Sequence, residues 1–590
     1  GLGVYWATAP SGDVQPPGPP TTAPTPTSDP SQLPEAGQRI LANEALTKAL
    51  GHQLELLGEH YLAAASPKAP FTPTHLFDPK ATSTILVRPE GLDGPLTPGT
   101  FRVKDWRIAQ SEASADAAMR TYLDILDRVE RAHFEIEYGR HESPAGDRAD
   151  SLFHLELVGR SRGGLLISAR GQVEARWSRA PASGSREGDW RIVTWKTTRF
   201  QTVEAEDWFF QDVLDQLVDP ATRAALEHSE HEDKVVDFLK HGRDRQPRYP
   251  FELASLDRHP GLAVVDINGD GWDDIYVMPR WGTTQLLINQ GGQGFVEAAA
   301  EWGLALRNNT SSAIFADFDN DGDPDVIIGR TLDFSAYFIN EGGRFRQADE
   351  TATSGLLPQL VSSVSVVDYD GDGLLDVYFS TYASLMAEQA WLWLMREGAE
   401  SQPALKGYLR DEDAVRLGEM LVGESDFSLF YQRPGPPNKL YRNVGGGRFE
   451  PVSSPLERFT NTFQATWSDY DRDGDQDVYL SNDYAANTLF RNDQGRFVDV
   501  TEATGTEDMG FGMGATWADY NDDGRFDLYT SNMYSRAGRR ITGAIEGIDP
   551  RLRRSARGNT LFRNEGDRFV RASSLGPEGL EVERAGWTWG

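Results

Sequence analysis

Residues 266–274 read DINGDGWDD, and four close variants of this nonapeptide follow along the chain. All five share the form D-x-[DN]-x-D-G-x-x-D, and successive copies lie about 50 residues apart except for one doubled interval, a period typical of β-propeller blades. The doubled interval indicates an insertion within the repeats. The other copies are DFDNDGDPD (317–325), DYDGDGLLD (368–376), DYDRDGDQD (469–477) and DYNDDGRFD (519–527).

Each nonapeptide has the spacing of a calcium-binding loop. Side-chain oxygens at positions 1, 3 and 5 converge when a chain curls tightly, and Gly at position 6 permits the sharp turn. A backbone carbonyl at position 7 and a carboxylate at position 9 would complete a shell of hard oxygens, which Ca²⁺ prefers, whereas Mg²⁺ resists crowded all-protein cages. The pattern is not an EF-hand, because no Glu stands at position 12 and β-rich runs flank it. We therefore predict about five Ca²⁺ sites, one in each loop.

The predicted ligands follow from position. They are Asp266, Asn268, Asp270, Asp274 and the Trp272 carbonyl in loop 1; Asp317, Asp319, Asp321, Asp325 and the Asp323 carbonyl in loop 2; Asp368, Asp370, Asp372, Asp376 and the Leu374 carbonyl in loop 3; Asp469, Asp471, Asp473, Asp477 and the Asp475 carbonyl in loop 4; and Asp519, Asn521, Asp523, Asp527 and the Arg525 carbonyl in loop 5.

A second repeated phrase follows each loop. An apolar strand, an Asn-x-Gly-type turn and a strand that starts at Phe predict a β-hairpin, so loop and hairpin together give four strands per blade. The five copies are LLINQGGQGF (286–295), YFINEGGRF (337–345), KLYRNVGGGRF (439–449), TLFRNDQGRF (488–497) and TLFRNEGDRF (560–569).

The two phrases together resemble the FG-GAP/VCBS repeats of integrin α-subunit propellers, and the hairpin phrase is similar to the cartilage-acidic-protein (ASPIC/UnbV-like) family. The resemblance covers about residues 250–590 and implies a mainly β protein, a calcium-binding β-propeller that acts extracellularly in adhesion or assembly. At least five blades are visible, whereas the family closes its ring with about seven. The final AGWTWG (585–590) matches the strand that precedes a loop, so a sixth loop should follow, and the resemblance implies about seven blades in the complete ring.

The first 250 residues are organised differently. Residues 1–34 are rich in Pro and Thr and predict an extended stalk, in which residues 1–8 are either an anchor remnant or a flexible terminus. Residues 35–80 predict a helix over 35–65 and a linker. Residues 81–242 predict a helix around 114–131, four strands and two closing helices. This pattern resembles the nuclear-transport-factor-like (SnoaL-like) α+β fold with an antiparallel sheet.

Two sets of side chains outside the loops invite a chemical interpretation. In the α+β domain, His133 and Glu135 have period-2 spacing, as have His154 and Glu156, so each pair shares one face of its strand. That face could line a pocket, although a solvent-exposed sheet face is the simpler interpretation. On the last predicted helix, His228 and His231 could hold a metal, although a solvated acidic helix explains them better. The candidate pocket residues are Asp105, His133, Glu135, His154 and Glu156.

The propeller region, residues 251–590, contains two insertions, at 381–437 and 531–558. The first includes the aromatic run WLWLM (391–395), which suits a cap over the propeller or a surface for partner docking. The second places seven arginines between Arg536 and Arg557. They could pair with blade carboxylates, or contact an acidic partner or polysaccharide.

Composition narrows the function. The chain has 590 residues, no Cys, and 90 acidic against 58 basic side chains, which excludes a disulfide framework and argues against nucleic-acid binding. No His lies beyond His259, so the repeats lack the usual catalytic bases. We predict a non-catalytic, extracytoplasmic scaffold (periplasmic, surface-bound or secreted) with a protein partner or larger assembly and a membrane-anchored N-terminus as a further option. The alternatives are a glycan-binding surface and an enzyme whose site lies in the α+β domain.

Overall fold

The computed structural model describes residues 35–63, 76–89, 96–97, 99–114, 122, 124–142, 146–179, 190–241, 261–331, 333–382, 434–545, 547–573 and 582. These residues form two compact units, one ending at Phe209 and the other beginning at Phe210 and excluding only Ala544–Glu546. The predicted stalk, residues 64–75 of the linker, most of the first insertion with its aromatic run, and the final AGWTWG lie outside the described residues.

The first unit pairs one long helix with a strongly curved sheet. The strand order is β3-β1-β7-β6-β5-β4, with β2 added beside β7, and all pairings are antiparallel except that of β1 with β7. The elements are α1 (Glu35–Ala63), β1 (Phe77–Val87), β2 (Phe101–Asp105), β3 (Arg107–Ser114), β4 (Arg128–His141), β5 (Arg148–Arg160), β6 (Leu166–Arg179) and β7 (Trp190–Ala205).

The core of this unit lies between α1 and one face of the sheet. Leu50, Leu54 and Leu57 recur at helical spacing along α1 and are fully buried against the sheet. Close approach of the helix to β4 is fixed where the Thr47 hydroxyl accepts the backbone N–H of Gly139 at 2.9 Å. The first unit therefore consists of one long helix packed on a mainly antiparallel sheet.

Three boundaries differ from the sequence prediction. The predicted helix over 114–131 is shorter at both ends, because Ser114 ends β3 and Arg128–Arg131 already pair with β5, whereas the described residues Tyr122, Asp124 and Ile125 are helical. Part of the predicted linker is strand β1, whose parallel partner β7 lies more than a hundred residues further on, so no local pattern specified the pairing. The closing helices belong to the second unit, which moves the division of the chain from residue 242 to residue 209.

The second unit contains five antiparallel sheets in a β-propeller-like arrangement. In chain order they are sheet 1 of β8 (Gly261–Val265), β9 (Asp274–Met278), β10 (Gln285–Asn289) and β11 (Phe295–Glu297); sheet 2 of β12 (Thr310–Ala316), β13 (Asp325–Arg330), β14 (Ala336–Asn340) and β15 (Phe345–Gln347); sheet 3 of β16 (Val361–Val367), β17 (Asp376–Thr381), β19 (Lys439–Asn443) and β20 (Phe449–Val452); sheet 4 of β18 (Pro434–Pro437), β21 (Phe459–Ser468), β22 (Asp477–Asp483), β23 (Thr488–Asp493) and β24 (Arg496–Asp499); and sheet 5 of β25 (Gly512–Ala518), β26 (Asp527–Asn532), β27 (Thr560–Asn564) and β28 (Phe569–Arg571).

Consecutive sheets share their cores. The first strand of sheet 1 packs against that of sheet 2, and the same contact repeats from sheet to sheet through β25. Each of four apolar clusters combines buried residues from two neighbouring sheets, as Phe318 of sheet 2 does with Phe449 of sheet 3 at a ring distance of 5.5 Å. A blade in this unit is therefore stable only through its neighbours.

Short helices decorate the second unit. The segment after Phe209 forms α2 (Leu214–Leu217), α3 (Pro220–Glu227) and α4 (Glu230–His241), later turns form α5 (Ala299–Trp302) and α6 (Thr501–Thr504), and the second insertion forms α7 (Arg536–Ala544) and α8 (Pro550–Ser555). Helix α4 packs on sheet 1, where Lys234 lies over the Trp281 ring at 5.3 Å and Glu230 pairs with Arg307 at 3.0 Å. Across the described segments, we find no helix that combines the length and the apolar character needed to cross a membrane.

Candidate metal centres and the blade junctions

Each nonapeptide connects two adjacent strands of its sheet, as predicted, and the same hydrogen bonds shape all five loops. The position-1 aspartate accepts two backbone N–H groups, those of positions 5 and 6; in loop 4, Asp469 accepts from Asp473 and Gly474, both at 3.1 Å. The position-5 carboxylate accepts the backbone N–H of position 7, as Asp473 does from Asp475 at 3.0 Å. The chain therefore curls so that the side chains of positions 1, 3 and 5 share one side of the turn, and the equivalent bonds recur in loops 1, 2, 3 and 5.

The position-9 aspartate ties the loop to the rest of its sheet. In loop 4, one oxygen of Asp477 accepts the Tyr470 N–H at 3.1 Å and the other accepts the Asn492 N–H at 2.8 Å. The residue is fully buried, as are its four equivalents. We predicted this residue as a ligand from spacing alone, and it also holds the hairpin against the loop.

Carboxylate oxygens converge in three of the loops. Oxygens from positions 1, 3 and 5 of loop 2 lie within 4.8 Å of one another, and so do oxygens from positions 1, 3 and 9 of loops 3 and 4. The position-3 oxygens Asp370 Oδ1 and Asp471 Oδ1 are buried and have no hydrogen-bond partner. Because a buried carboxylate oxygen without a partner is costly, both atoms indicate a cation that completes their coordination. The donor set therefore fits a hard metal ion at these loops.

Burial and the closeness of other carboxylates raise the pKa values of three position-9 aspartates. Burial raises the pKa of Asp325 to about 6, that of Asp376 to about 7 and that of Asp477 to about 8. Neighbouring loop carboxylates push in the same direction, since like charges disfavour ionisation. Without a cation the position-9 aspartates thus resist becoming charged, and a bound divalent ion would reverse that preference.

Loop 3 carries a cation of its own. The Arg442 guanidinium of β19 donates from Nε to Asp370 at 2.7 Å and from Nη2 to Asp372 at 2.8 Å. It thus pairs with the outward oxygens of positions 3 and 5, whereas Asp370 Oδ1 remains without a partner. Loop 3 is therefore partly neutralised by protein, which distinguishes it from loop 4.

The hairpin asparagine is a structural residue that the sequence pattern had suggested only as a turn former. In sheet 4, Asn492 Nδ2 donates to the Gln476 carbonyl of its own loop at 3.1 Å, and Asn492 Oδ1 accepts the Gly495 N–H at 2.7 Å. The same side chain also donates to the Tyr369 carbonyl of loop 3 at 2.7 Å, and so reaches the preceding sheet. We call this arrangement the asparagine clasp. Asn443 and Asn564 repeat it by donating to the carbonyls of Phe318 and Tyr470, respectively.

The clasp seats the hairpin turn directly on the preceding acidic loop. A Cβ on Gly447 of sheet 3 would lie 2.7 Å from the Tyr337 hydroxyl and 3.2 Å from Asp319 Cβ, and the residue has φ +65°. Only glycine fits such a position. Gly495 of sheet 4 approaches Asp370 of loop 3 in the same way, at 3.6 Å. The metal-binding side chain at position 3 therefore lies at the junction with the next sheet.

A repeated signal could have revealed the clasp. In sheets 1, 2 and 4 the hairpin asparagine follows the position-9 aspartate by the same interval of 15 residues. A fixed interval between a carboxylate and a turn residue indicates that the two are in contact. The inter-sheet half of the clasp had no such signal, because its partners lie 94 to 125 residues apart.

The candidate pocket residues of the first unit lie on the outward face of its sheet. His133 and Glu135 are exposed on β4, and the apolar residues that alternate with them, Phe134 and Ile136, pack against the core. His154 pairs with Glu137 at 3.2 Å, while Glu156 pairs with Arg170 and Asp105 accepts from Gln201, both at 2.8 Å. The described geometry thus places these groups on a solvated sheet face, which was the simpler of the two interpretations.

The two histidines predicted on one helix do not share an environment, because His228 follows α3 and His231 lies in α4. His231 is 2% exposed and packs beside Trp281, whereas His228 is exposed and pairs with Asp233 at 3.3 Å. The expectation of a solvated helix is therefore wrong for His231, because α4 packs on sheet 1.

The arginine-rich insertion makes contacts within its own segment. Arg551 pairs with Asp549 at 2.7 Å and holds the pKa of that carboxyl at about 2, and Arg539 lies over the Tyr534 ring at 5.6 Å. The predicted pairing of these arginines with blade carboxylates stays a prediction.

Comparison with known proteins agrees with the repeats. A family model described as FG-GAP-like repeat matches residues 266–328 and 469–530, which include loops 1, 2, 4 and 5. The chain therefore contains FG-GAP-like repeats. The chain is similar to cartilage acidic protein 1 of Xenopus tropicalis, with 28% identity over 126 residues, and of Homo sapiens, with 27% identity over 142 residues. The matches cover 21% and 23% of this chain and 20% and 22% of the relatives, so the chain spans about a fifth of their length.

Solved structures add nothing further to the FG-GAP assignment. Trypanosoma rangeli sialidase in complex with the inhibitor DANA is similar at 10% identity, over 62% of this chain and 52% of that chain, with a TM-score of 0.22. A score that low supports no argument about fold or function. The FG-GAP resemblance seen in the loops is confirmed by the family model and the cartilage acidic proteins.

Proposed function

We propose that this FG-GAP-repeat protein is a non-catalytic binding or scaffold protein whose propeller-like unit is stabilised by calcium. The observation that carries the metal assignment is the pair of buried, partnerless oxygens Asp370 Oδ1 and Asp471 Oδ1 inside converging carboxylate clusters. Calcium suits these clusters because it accepts many oxygen ligands in flexible geometry, whereas magnesium demands a near-ideal octahedron and keeps its waters. We also propose calcium in loops 1 and 5, which have Asn at position 3, and coordination by the position-7 carbonyl in all five loops. These parts of the proposal rest on sequence spacing.

The junction geometry supports a scaffold role. Because the hairpin of one sheet is clasped onto the loop of the preceding sheet, an ion that orders a loop also orders the surface on which the next sheet docks. The bound ions would thus stiffen the row of sheets and present a rigid surface. The repeat region also has no Cys, and no His beyond His259, so carboxylates are its main candidate acid–base groups, and calcium would occupy those of the five loops.

An extracytoplasmic location belongs to the same proposal. Extracellular calcium modules bind at about 10⁻⁴ to 10⁻³ M, a range that suits exposed loops facing a calcium-rich medium. The similarity to cartilage acidic protein 1 is in keeping with this setting. In this proposal the propeller-like unit binds a protein partner or joins a larger assembly. We also propose that the first unit has a nuclear-transport-factor-like fold.

Metal content and stability test the calcium assignment. The full chain, freed of metal and titrated with Ca²⁺ in a calorimeter, should bind several ions and melt at a higher temperature with Ca²⁺ than with equal Mg²⁺. The variant Asp471→Asn should lose one ion, while Asp493→Asn, an exposed carboxylate of the adjacent hairpin, should lose none. A melting temperature that is unchanged by calcium at low salt would overturn the assignment.

Cross-linking in the source cells tests the scaffold role separately. Intact cells that carry the chain should give cross-links from the propeller-like unit to a defined protein, and these should weaken in the Asp471→Asn variant. Cross-links that are confined to the first unit, or equal in both variants, would contradict a role for the calcium-ordered sheets. The glycan-binding and enzymatic alternatives remain sequence predictions, and no arrangement within the described residues favours either.

A further inference from the structure

One strand of the first unit leaves a sheet edge open. The antiparallel ladder between β2 and β7 continues just past β2, where the Trp106 N–H donates to the Phe200 carbonyl at 2.9 Å. Because hydrogen bonds alternate along such a pair, the even-numbered residues of β2 bond to β7, while Phe101, Val103 and Asp105 direct their backbone groups away from it. In the described part of the chain, no partner meets these N–H and C=O groups. We call this side of the strand the β2 edge.

Exposed apolar side chains lie along the β2 edge. Phe101 and Val103 share one face of the strand and are 60% and 41% exposed. The Phe209 ring meets the Phe101 ring edge-on at 6.0 Å, and Phe209 and its neighbour Trp208 are also exposed. Backbone groups without partners thus lie beside an apolar surface.

The open backbone groups limit the kind of partner. A lipid surface could cover the aromatic rings, but hydrocarbon supplies no hydrogen bonds, and open sheet edges do not occur within it. An extended peptide supplies both interactions, because its backbone can pair with the edge while every second side chain contacts Phe101 and Val103. The geometry therefore suits a β-strand that is added to the sheet.

A second copy of this chain is a poor partner for the edge. In a two-fold antiparallel pair of β2 strands, the odd-numbered residues would pair with one another, and so would the even-numbered residues. Arg102 and Lys104 would then lie opposite like charges, which destabilises a sheet. Both side chains also contact Glu204, so neither can turn away without losing that contact.

We propose that the β2 edge binds an extended segment of another protein. The segment is apolar on the face that contacts Phe101 and Val103, and it carries no basic residue on the face next to Arg102 and Lys104. This docking site lies on the first unit and does not depend on the calcium loops.

Amide exchange resolved to single residues tests whether the edge is open. In the free full chain, the amides of residues 101, 103 and 105 should exchange about a hundredfold faster than those of residues 102 and 104, which bond to β7. Slow exchange at all five amides would mean that the edge is covered, and it would overturn the proposal.

Synthetic peptides test the docking by fluorescence polarisation with the full chain. The parent probe is a dye-labelled heptapeptide of alternating valine and glutamate, which has the proposed pattern. One twin carries N-methyl groups on its valine amides, and the other carries them on its glutamate amides. Because a strand pairs through one of its edges, one twin should bind like the parent and the other about tenfold more weakly. Equal affinity of the two twins, or no binding of the parent, would contradict the proposal.

Variants locate the binding. Val103→Pro removes an outward N–H without removing a bond to β7, and Phe101→Ser removes an apolar contact, so each should weaken the parent peptide by about fivefold or more. The control Val296→Ser removes a similarly exposed apolar side chain from β11 and should change nothing. Binding that survives both edge variants, or that falls as much in the control, would refute the assignment.

The same variants would reveal two other occupants. Dimers in sedimentation that Val103→Pro dissociates would assign the edge to a second copy. Binding to phosphatidylcholine vesicles that Phe101→Ser abolishes would assign the apolar surface to a membrane. We expect neither result, and either one would show that the proposed partner is wrong.

Discussion

Replacement of Asn492 by Ala tests the clasp between sheets 3 and 4. Asn492 is fully buried, and its side chain makes three hydrogen bonds, of which the one to the Tyr369 carbonyl at 2.7 Å joins the two sheets. The variant leaves the carbonyls of Tyr369 and Gln476 and the N–H of Gly495 without partners. Each buried group left unpaired costs about 1–3 kcal/mol, and since water can enter beside the hairpin turn we expect a total of about 3–5 kcal/mol.

The first sheet supplies a matched control. Asn289 makes the same two bonds within its own sheet, to the Asp273 carbonyl at 3.0 Å and from the Gly292 N–H at 2.8 Å, but it is only half-buried. Because water replaces bonds lost at an exposed site, Asn289→Ala should cost about 1–2 kcal/mol. The difference between the two variants therefore isolates burial and the bond between sheets.

Hydrogen exchange is the suitable assay because a chain with two units need not unfold in one step. Amides of β17 and of β22 to β23 should exchange faster in Asn492→Ala, and peptides from the first unit should be unchanged. Intact binding of calcium at loop 1 would show that the variant is folded. If Asn492→Ala cost no more than Asn289→Ala, the clasp would contribute nothing beyond its turn, and the reasoning would be wrong.

Four further outcomes follow from the same contacts. Calcium at a hundred times its dissociation constant should stabilise the folded chain by about 2.7 kcal/mol per site that forms only on folding, measured as a melting shift that chelator reverses. Calcium-depleted protein should lose stability as pH rises from about 4 to 8, because the folded pKa values of Asp376 (about 7) and Asp477 (about 8) exceed the usual value near 3.9. Calcium-loaded protein should not lose stability over this range, since the ion needs those carboxylates charged. Melting curves recorded with and without calcium across this pH range measure the sign of the change. Arg442→Gln should make stability more dependent on calcium, because it removes the protein's own cation from loop 3, and titration of the melting temperature with calcium measures the change. Lys104→Met should destabilise the first unit by about 3–5 kcal/mol in urea unfolding, because it leaves Glu204 buried without its closest cation, whereas the double variant with Glu204→Leu should recover most of that loss.

The sequence predicted the local part of the repeat unit correctly. Five nonapeptides between strands and five hairpins were visible because their determinants, such as the Gly and Asp of residues 266–274, lie within a few residues of one another. Local turns are fixed by local chemistry. Loop, hairpin and four-stranded sheet all follow from it.

Non-local features had no comparable signal. Period-2 spacing showed that His133 and Glu135 share a face of β4, but not whether that face was buried; the answer lay in the neighbours Phe134 and Ile136, which pack into the core. The last predicted helix was interpreted as solvated, and its sequence did not indicate that α4 packs on sheet 1. The ion pair of Lys104 with Glu204 joins two distant strands, and no sequence window contains it.

Because of the asparagine clasp, binding of an ion in one loop would also stabilise the neighbouring sheet. An ion in loop 3 would order Asp370 and the Tyr369 carbonyl, and these are the groups that receive Gly495 and Asn492 of sheet 4. Its binding energy would therefore stabilise the junction with the next sheet as well as its own loop. The insertion between β17 and β19 lies between the second and third strands of sheet 3, outside both the loop and the clasp, so a long segment can be accommodated there without breaking the series of junctions. Stability in such an array is a sum of sheet and junction terms. Loss of one ion should thus destabilise one junction between sheets and leave the other junctions unchanged. In a series of single-loop variants, the order of the melting temperatures should follow the stability of the affected junctions rather than that of the sheets that carry the loops.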